Sequence, residues 1–165
     1  MASSLSASLI IKAQAELVPS SPAAGAVLAE LSNATGGTFW TPGQGSGQID
    51  RVYLASVSLT SGQTVNYNTL AAGSLLDALG QAIDLDELKG LVVKCNTGSI
   101  KIDAPAANFI GIFSDASDLI RLTAGHVIAF DFSAAGLDVT TNSKWDIVET
   151  ASSTASYTIM FWGAQ

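Results

Sequence analysis

Leu88–Asp103 reads LKGLVVKCNTGSIKID, and this run decides the fold. Leu88–Cys95 is dense in aliphatic residues and too short for a buried helix, so it reads as a core strand. Asn96–Ser99 supplies turn residues around Gly98, and Ser99–Asp103 alternates strictly between polar and apolar. Alternation with period two puts one face of a strand in a core and the other outside.

The same pattern extends in both directions. Upstream, QIDRVYLASVSL (Gln48–Leu59) sets Ile49, Val52, Leu54, Val57 and Leu59 against polar neighbours. Ser61 and Gly62 turn the chain into a second strand, Thr64–Tyr67. Leu75–Gly80 (LLDALG) reads as a short helical or turn element closed by Gly80. Downstream, Asn108–Phe113 reads as a strand with a bulge at Gly111. Leu119–Leu122 and His126–Phe132 read as a hairpin around Ala124–Gly125. Leu137–Thr140 and Trp145–Val148 are short strands, and Ser156–Gly163 is a strong β run. About nine short strands in roughly 115 residues, with turn signals every 8–12, predict an all-β, antiparallel β-sandwich. No long helix carries a periodic apolar stripe, and no fixed-period repeat is evident.

Residues 1–47 differ. Residues 3–18 (SSLSASLIIKAQAELV) alternate as a strand, with a helix over Ala13–Val18 as the competitor. Residues 19–47 hold Pro19, Pro22 and Pro42 and several glycines, ending in TPGQGSG. Only Ala23–Leu31 has the makings of a short helix or strand. The expected organisation is an N-terminal arm and Gly/Pro-rich linker over 1–47 and a β-sandwich domain over 48–165.

Composition narrows the function classes. The chain has 165 residues, 48% hydrophobic and 13% charged, with a formal net charge of −7. Its mean hydropathy is +0.38. That charge content is about half of a typical soluble domain's. It suggests a surface partly covered by a partner, as in an assembly subunit. The seven Lys and Arg are scattered, so no nucleic-acid footprint is expected. No membrane span or secretory signal is expected either.

Chemistry-bearing residues are sparse. His126 is the sole histidine and Cys95 the sole cysteine, which leaves no zinc ligand set and little basis for a nucleophile–base pair. Asp84, Asp86 and Glu87, and separately Asp115 and Asp118, could offer oxygens to calcium. The simpler reading of both groups is a solvated turn. No catalytic residue, cofactor or metal is therefore assigned. Trp40, Trp145 and Trp162 would stack on sugars if exposed, and pack in a core or interface otherwise. Trp40, inside the linker, reads as an anchor for the arm.

The order RVYLASVSLTSG, SLLDALGQAIDLDELKGLVVK, LTAGHVIAFDF, GLDVTTNSKWDIVE and YTIMFWG resembles a family of small structural proteins of tailed bacteriophages. Leu75–Lys94 and Tyr157–Gly163 are the most specific parts of the match. The chain departs from the family pattern at TAGH, where His126 replaces a second glycine, and at Asp103–Phe109 (DAPAANF). The resemblance implies a jelly-roll-like, non-enzymatic virion protein. It would be made in the host cytoplasm and bound to the outer capsid surface, decorating or cementing the lattice. The alternative is a head-fibre or tail-associated receptor- or carbohydrate-binding module. The implied partner is the major capsid protein, and the resemblance implies a homo-oligomer, a trimer as is common in such families. An arm that adds a strand to a neighbour's sheet gains main-chain hydrogen bonds. Leu5, Leu9, Ile11, Leu17 and Trp40 are the partner-binding residues expected on it.

Overall fold

The computed structural model describes residues 7–8, 14–17, 27–30, 39–70, 75–76 and 82–165. Among these there is no helix. The N-terminal strands are β1 (Ala7–Ser8), β2 (Gln14–Leu17), β3 (Val27–Glu30), β4 (Phe39–Pro42) and β5 (Gln48–Ile49). The domain continues through β6 (Arg51–Leu59), β7 (Thr64–Asn68), β8 (Glu87–Thr97), β9 (Ser99–Asp103) and β10 (Leu119–Thr123). It ends with β11 (Val127–Asp131), β12 (Leu137–Asp138), β13 (Lys144–Glu149) and β14 (Ala155–Ala164).

Two antiparallel sheets form the jelly-roll-like sandwich. One runs β11-β8-β14-β6, with β12 also on β8; the other runs β10-β9-β13-β7. Sequence neighbours repeatedly fall in different sheets. The chain leaves β8 and enters β9 across the single residue Gly98. Its φ of +72° favours glycine, and a Cβ there would lie 2.5 Å from the Thr154 carbonyl oxygen.

Alternation fills the space between the sheets. Along β14, Tyr157, Ile159 and Phe161 point inward; opposite them on β8 are Cys95, Val93 and Leu91. The other sheet contributes Ile100, Ile102, Trp145, Ile147 and Tyr67. Tyr67 stacks on Trp145 at 5.5 Å, and Trp145 meets Phe161 edge-on at 5.3 Å. Such pairs contribute about 0.5–1.5 kcal/mol each beyond area burial. The Tyr67 and Tyr157 hydroxyls satisfy each other at 2.7 Å. Buried Lys89 donates to the Ala134 and Ala135 carbonyls at 2.9 and 2.7 Å and pairs with the Glu87 carboxylate.

Two sequence expectations fail here. Leu119–Leu122 and His126–Phe132 do not form a hairpin: β10 pairs with β9 and β11 with β8. The turn at Ala124–Gly125 carries the chain between sheets, held by Ala124 N–H on Gly98 O and Gly125 N–H on Cys95 O. Asn108–Phe113 is not a strand. Asn108 has φ +59°, Phe109 makes only an isolated bridge to Lys144, and Phe113 N–H turns back to Ile110 O. Its apolar residues are plugs, with Ile110 and Phe113 buried. Of Leu75–Gly80, residues 77–80 lie outside the described residues. Within residues 23–31, Val27–Glu30 is a strand paired with Gln14–Leu17.

Burial pushes the Tyr67 phenol well above its ordinary range and Tyr157 up to about 12. A raised phenol pKa means stability that is full below the unfolded value of about 10 and falls as pH rises through the folded one. Tyrosinate absorbance should therefore lag the ordinary titration and rise together with loss of the β circular-dichroism signal near pH 12. Complete phenol ionisation with the fold intact would contradict this.

Candidate interaction surface

The sheet registers define two outer faces that differ in their balance of charge. On the β10-β9-β13-β7 sheet, Ile100, Ile102 and Ile147 point inward, so their neighbours point out. These include Lys101 and Asp103 on β9, Asp146 and Lys144 on β13, and Arg121 on β10. Lys101 pairs with Asp103, and Asn66 donates to Asp146 Oδ1 at 2.7 Å. This face carries five charged side chains, with Leu119 and Val148 lying among them.

The outer face of the β11-β8-β14-β6 sheet is different. Register places Ala129, Val92, Met160 and Leu54 side by side across all four strands. Leu54 is 62% exposed; the other three are half-buried. The next row is Val127, Lys94, Thr158 and Ser56, with Val127 56% exposed. Beyond it lie Thr97, Ser156 and Ser58, which carry hydroxyls only. Several of these polar groups bond to one another. Ser56 Oγ lies 3.1 Å from Thr158 Oγ1, Thr97 Oγ1 2.8 Å from Ser156 Oγ, and Asn96 Nδ2 donates to Thr158 Oγ1 at 3.0 Å. On β14 and β6, no outward residue from Ser156 to Trp162 or from Val52 to Ser58 is charged. Lys94 of β8 and Asp131 of β11 lie on this face too; the uncharged, partly apolar strip along β14 and β6 is suited to burial against a partner.

The far end of this face is already covered. Trp162 points outward over Gly90, where an added Cβ would lie 2.2 Å from the indole ring. Trp40 meets Trp162 edge-on at 5.3 Å, and Ile49, Val52, Val92 and Met160 complete the cluster. Local backbone pairing holds Trp40 there. β4 runs parallel to β5, Thr41 N–H bonds Gly47 O, and Gly43 N–H bonds Ile49 O, each at 3.0 Å. Gly47 N–H then reaches Ala134 O at 2.9 Å, the carbonyl that also receives buried Lys89. The end of the expected linker is thereby tied to the sandwich.

Of the residues expected to bind a partner, Trp40 is buried against its own domain. Leu17 ends β2, paired with Val27 of β3. Leu5, Leu9 and Ile11 lie outside the described residues. The apolar row across Leu54, Val92, Ala129 and Met160 was missed as a site. Leu54 and Val92 show in the sequence only as members of separate strands, and strand register alone joins them.

The chemistry-bearing residues stand apart. His126 is exposed, with Nδ1 3.3 Å from Thr123 Oγ1. Cys95 is buried beside the Gly98 corner, and burial pushes its thiol pKa up, against a nucleophile's need. Asp115 accepts the Ser117 amide and hydroxyl. Asp118 accepts the Ser114 amide and hydroxyl and the Asp115 amide. These bonds hold both carboxyls below the usual range and make them turn builders. Among the described residues, no three His, Cys, Asp or Glu side chains group as metal ligands.

No family model matches the chain, and no curated protein matches it. Among solved structures it is similar to a cupin superfamily protein from Desulfitobacterium hafniense at 14% identity, over 70% of this chain and 71% of that one, with a TM-score of 0.38. A cupin domain from Bordetella pertussis is 12% identical over 70% and 84%, also at 0.38. The Schizosaccharomyces pombe Cnp3 cupin domain is 5% identical over 92% and 83%, at 0.38. At these values the likenesses carry no argument about activity, and the sandwich rests on its own strand pairing.

Trp40→Ala should uncover Trp162 and cost about 3 kcal/mol, the low end for a buried Trp truncation. A red shift in tryptophan emission and a lower melting temperature would report it. An unchanged spectrum would mean that Trp40 does not cover Trp162.

Proposed function

We propose that this protein is a non-enzymatic virion structural subunit. It docks on the outer surface of a capsid and decorates or cements the lattice, with the major capsid protein as its partner. The observation that supports this most is the apolar row from Ala129 to Leu54 on the outer face of the β11-β8-β14-β6 sheet, beside which β14 and β6 present no charge from Ser156 to Trp162 and from Val52 to Ser58. A subunit that lies on a lattice needs one face for burial and one for water. Clamping neighbouring capsid subunits then stabilises the assembled state by mass action, because the clamp binds that state alone. The phage-family resemblance of the sequence supplies the class of partner. The alternative reading, a sugar- or receptor-binding module, calls for exposed indole platforms. Trp40, Trp145 and Trp162 are all buried, which weighs against it.

Co-sedimentation with capsids of the phage that encodes the protein tests the proposal. The wild type should bind saturably. Ala129→Lys puts a charge in the apolar row and should weaken binding at least about tenfold, or about 1.4 kcal/mol. Thr64→Lys, on the charged sheet, should leave binding unchanged. Failure of the wild type to bind, or equal loss from both substitutions, would remove the docking assignment.

A further inference from the structure

Five strands edge the two sheets: β6, β11 and the two-residue β12 in one, β7 and β10 in the other. An edge strand offers unpaired N–H and C=O groups to other chains, and proteins normally blunt it by shortness, charge, proline or a bulge. β7, β10 and β11 are five residues each. β10 also carries Arg121, and β11 ends on Asp131. β6 is nine residues long, and from Val52 to Leu59 it has no charge, proline or glycine. Its pairing with β14 runs unbroken from Leu59 to Arg51, so no bulge turns it aside. Among the described residues, no strand pairs with its other side. The side chains fit an unfinished sheet. Tyr157, Ile159 and Phe161 of β14 are fully buried, while Val57, Ala55 and Tyr53 beside them on β6 are only half-buried.

We propose that β6 pairs antiparallel with β6 of a second copy of this chain, about a two-fold axis at Ala55. The two sheets then become one continuous sheet. The strand is self-complementary in this register. Tyr53 faces Val57 of the partner subunit, an aromatic and β-branched pair of the favourable kind. Leu54 faces Ser56 of the partner subunit, and Val52 faces Ser58 of the partner subunit. No like charges meet within Val52–Ser58. Arg51, at the strand end, is engaged by Asp50 Oδ2 at 3.2 Å and Gln165 Oε1 at 2.9 Å, and its Nε donates to the Ala82 carbonyl at 3.3 Å, so the pairing is placed on Val52–Ser58, beyond that contact. An isologous contact needs only the same patch twice, which is why a second copy fits this edge better than an unlike strand. In this register the apolar row that ends at Leu54 meets, across the axis, the row that begins at Ser56 of the partner subunit. This two-fold contact differs from the trimer that the family resemblance implies, and it does not rest on a capsid role.

Light scattering after size exclusion, over a concentration series of the full chain, is the test. The wild type should approach the mass of two chains at high concentration. Leu54→Lys with Ser56→Lys places lysine against lysine twice, and this double variant should run as one chain. Leu54→Glu with Ser56→Glu should do the same, and an equimolar mixture of the two should recover the two-chain mass. Both positions are exposed, so melting temperatures should hold. If either variant fails to fold, hydrogen exchange on the wild type decides: protection of the amides of residues 52–58 should rise with concentration. A one-chain mass at every concentration, a three-chain mass, a two-chain mass that survives both charge variants, or exchange independent of concentration would each overturn the pairing.

Discussion

Strand β8 carries the architecture. It pairs with β14 along one side and with β11 and β12 along the other. At Gly98 it hands the chain to the opposite sheet. Glycine is required there twice over, by the positive φ and by the nearness of the Thr154 carbonyl and Ala155 Cα. Because β9 starts one residue later, this corner sets which residues of both sheets face each other. Val93 and Cys95 look inward from one side, Ile100 and Ile102 from the other. The remaining strands add to a frame that this corner has already oriented.

The low charge of the chain acquires a spatial meaning in that frame. Its charged residues are few, and register gathers many of those on the sandwich onto one sheet's outer surface. The other surface, besides Lys94 and Asp131, keeps hydroxyls that bond to one another and aliphatic groups in a row. Internally satisfied hydroxyls are cheaper to desolvate than free ones, because their hydrogen bonds survive the loss of water. Trp40 and Trp162 show the chain using this face itself, with a segment from beyond the sandwich laid across it.

Much of the fold was legible. Glu87–Asp103 and Ala155–Ala164 announce themselves by alternation, since half-buried strands must place every second residue in the core. Arg51–Leu59 also reads as a strand, but Val52 and Leu54, grouped there with Val57 and Leu59, face outward, and Tyr53 and Ala55 face the core. Partners were less legible. Ala124–Gly125 reads as a hairpin turn because the local signal says only that the chain reverses, and not which sheet receives it. Asn108–Phe113 misled because its apolar residues plug the core from a loop, and burial without alternation mimics a buried strand. The candidate surface was illegible for a related reason. Leu54, Val92, Ala129 and Met160 are scattered over more than 100 positions of sequence and become neighbours only through three separate strand registers. Trp40 was identified as an anchor, and the structure seats it on the chain's own sheet.

Strand β14 sits between β8 and β6, so residues 155–164 are sandwiched by segments made long before them. During synthesis, β6 and β8 exist with nothing to join them. The larger sheet can close only after the ribosome has translated this central strand. Pairing Gly163 with Arg51 closes a long loop, and such non-local contacts slow folding. A partly made chain therefore exposes two apolar strand edges until its last described strand arrives. Until then the nascent chain passes through an interval of vulnerability, in which chaperone cover matters more than the stability of the finished sandwich.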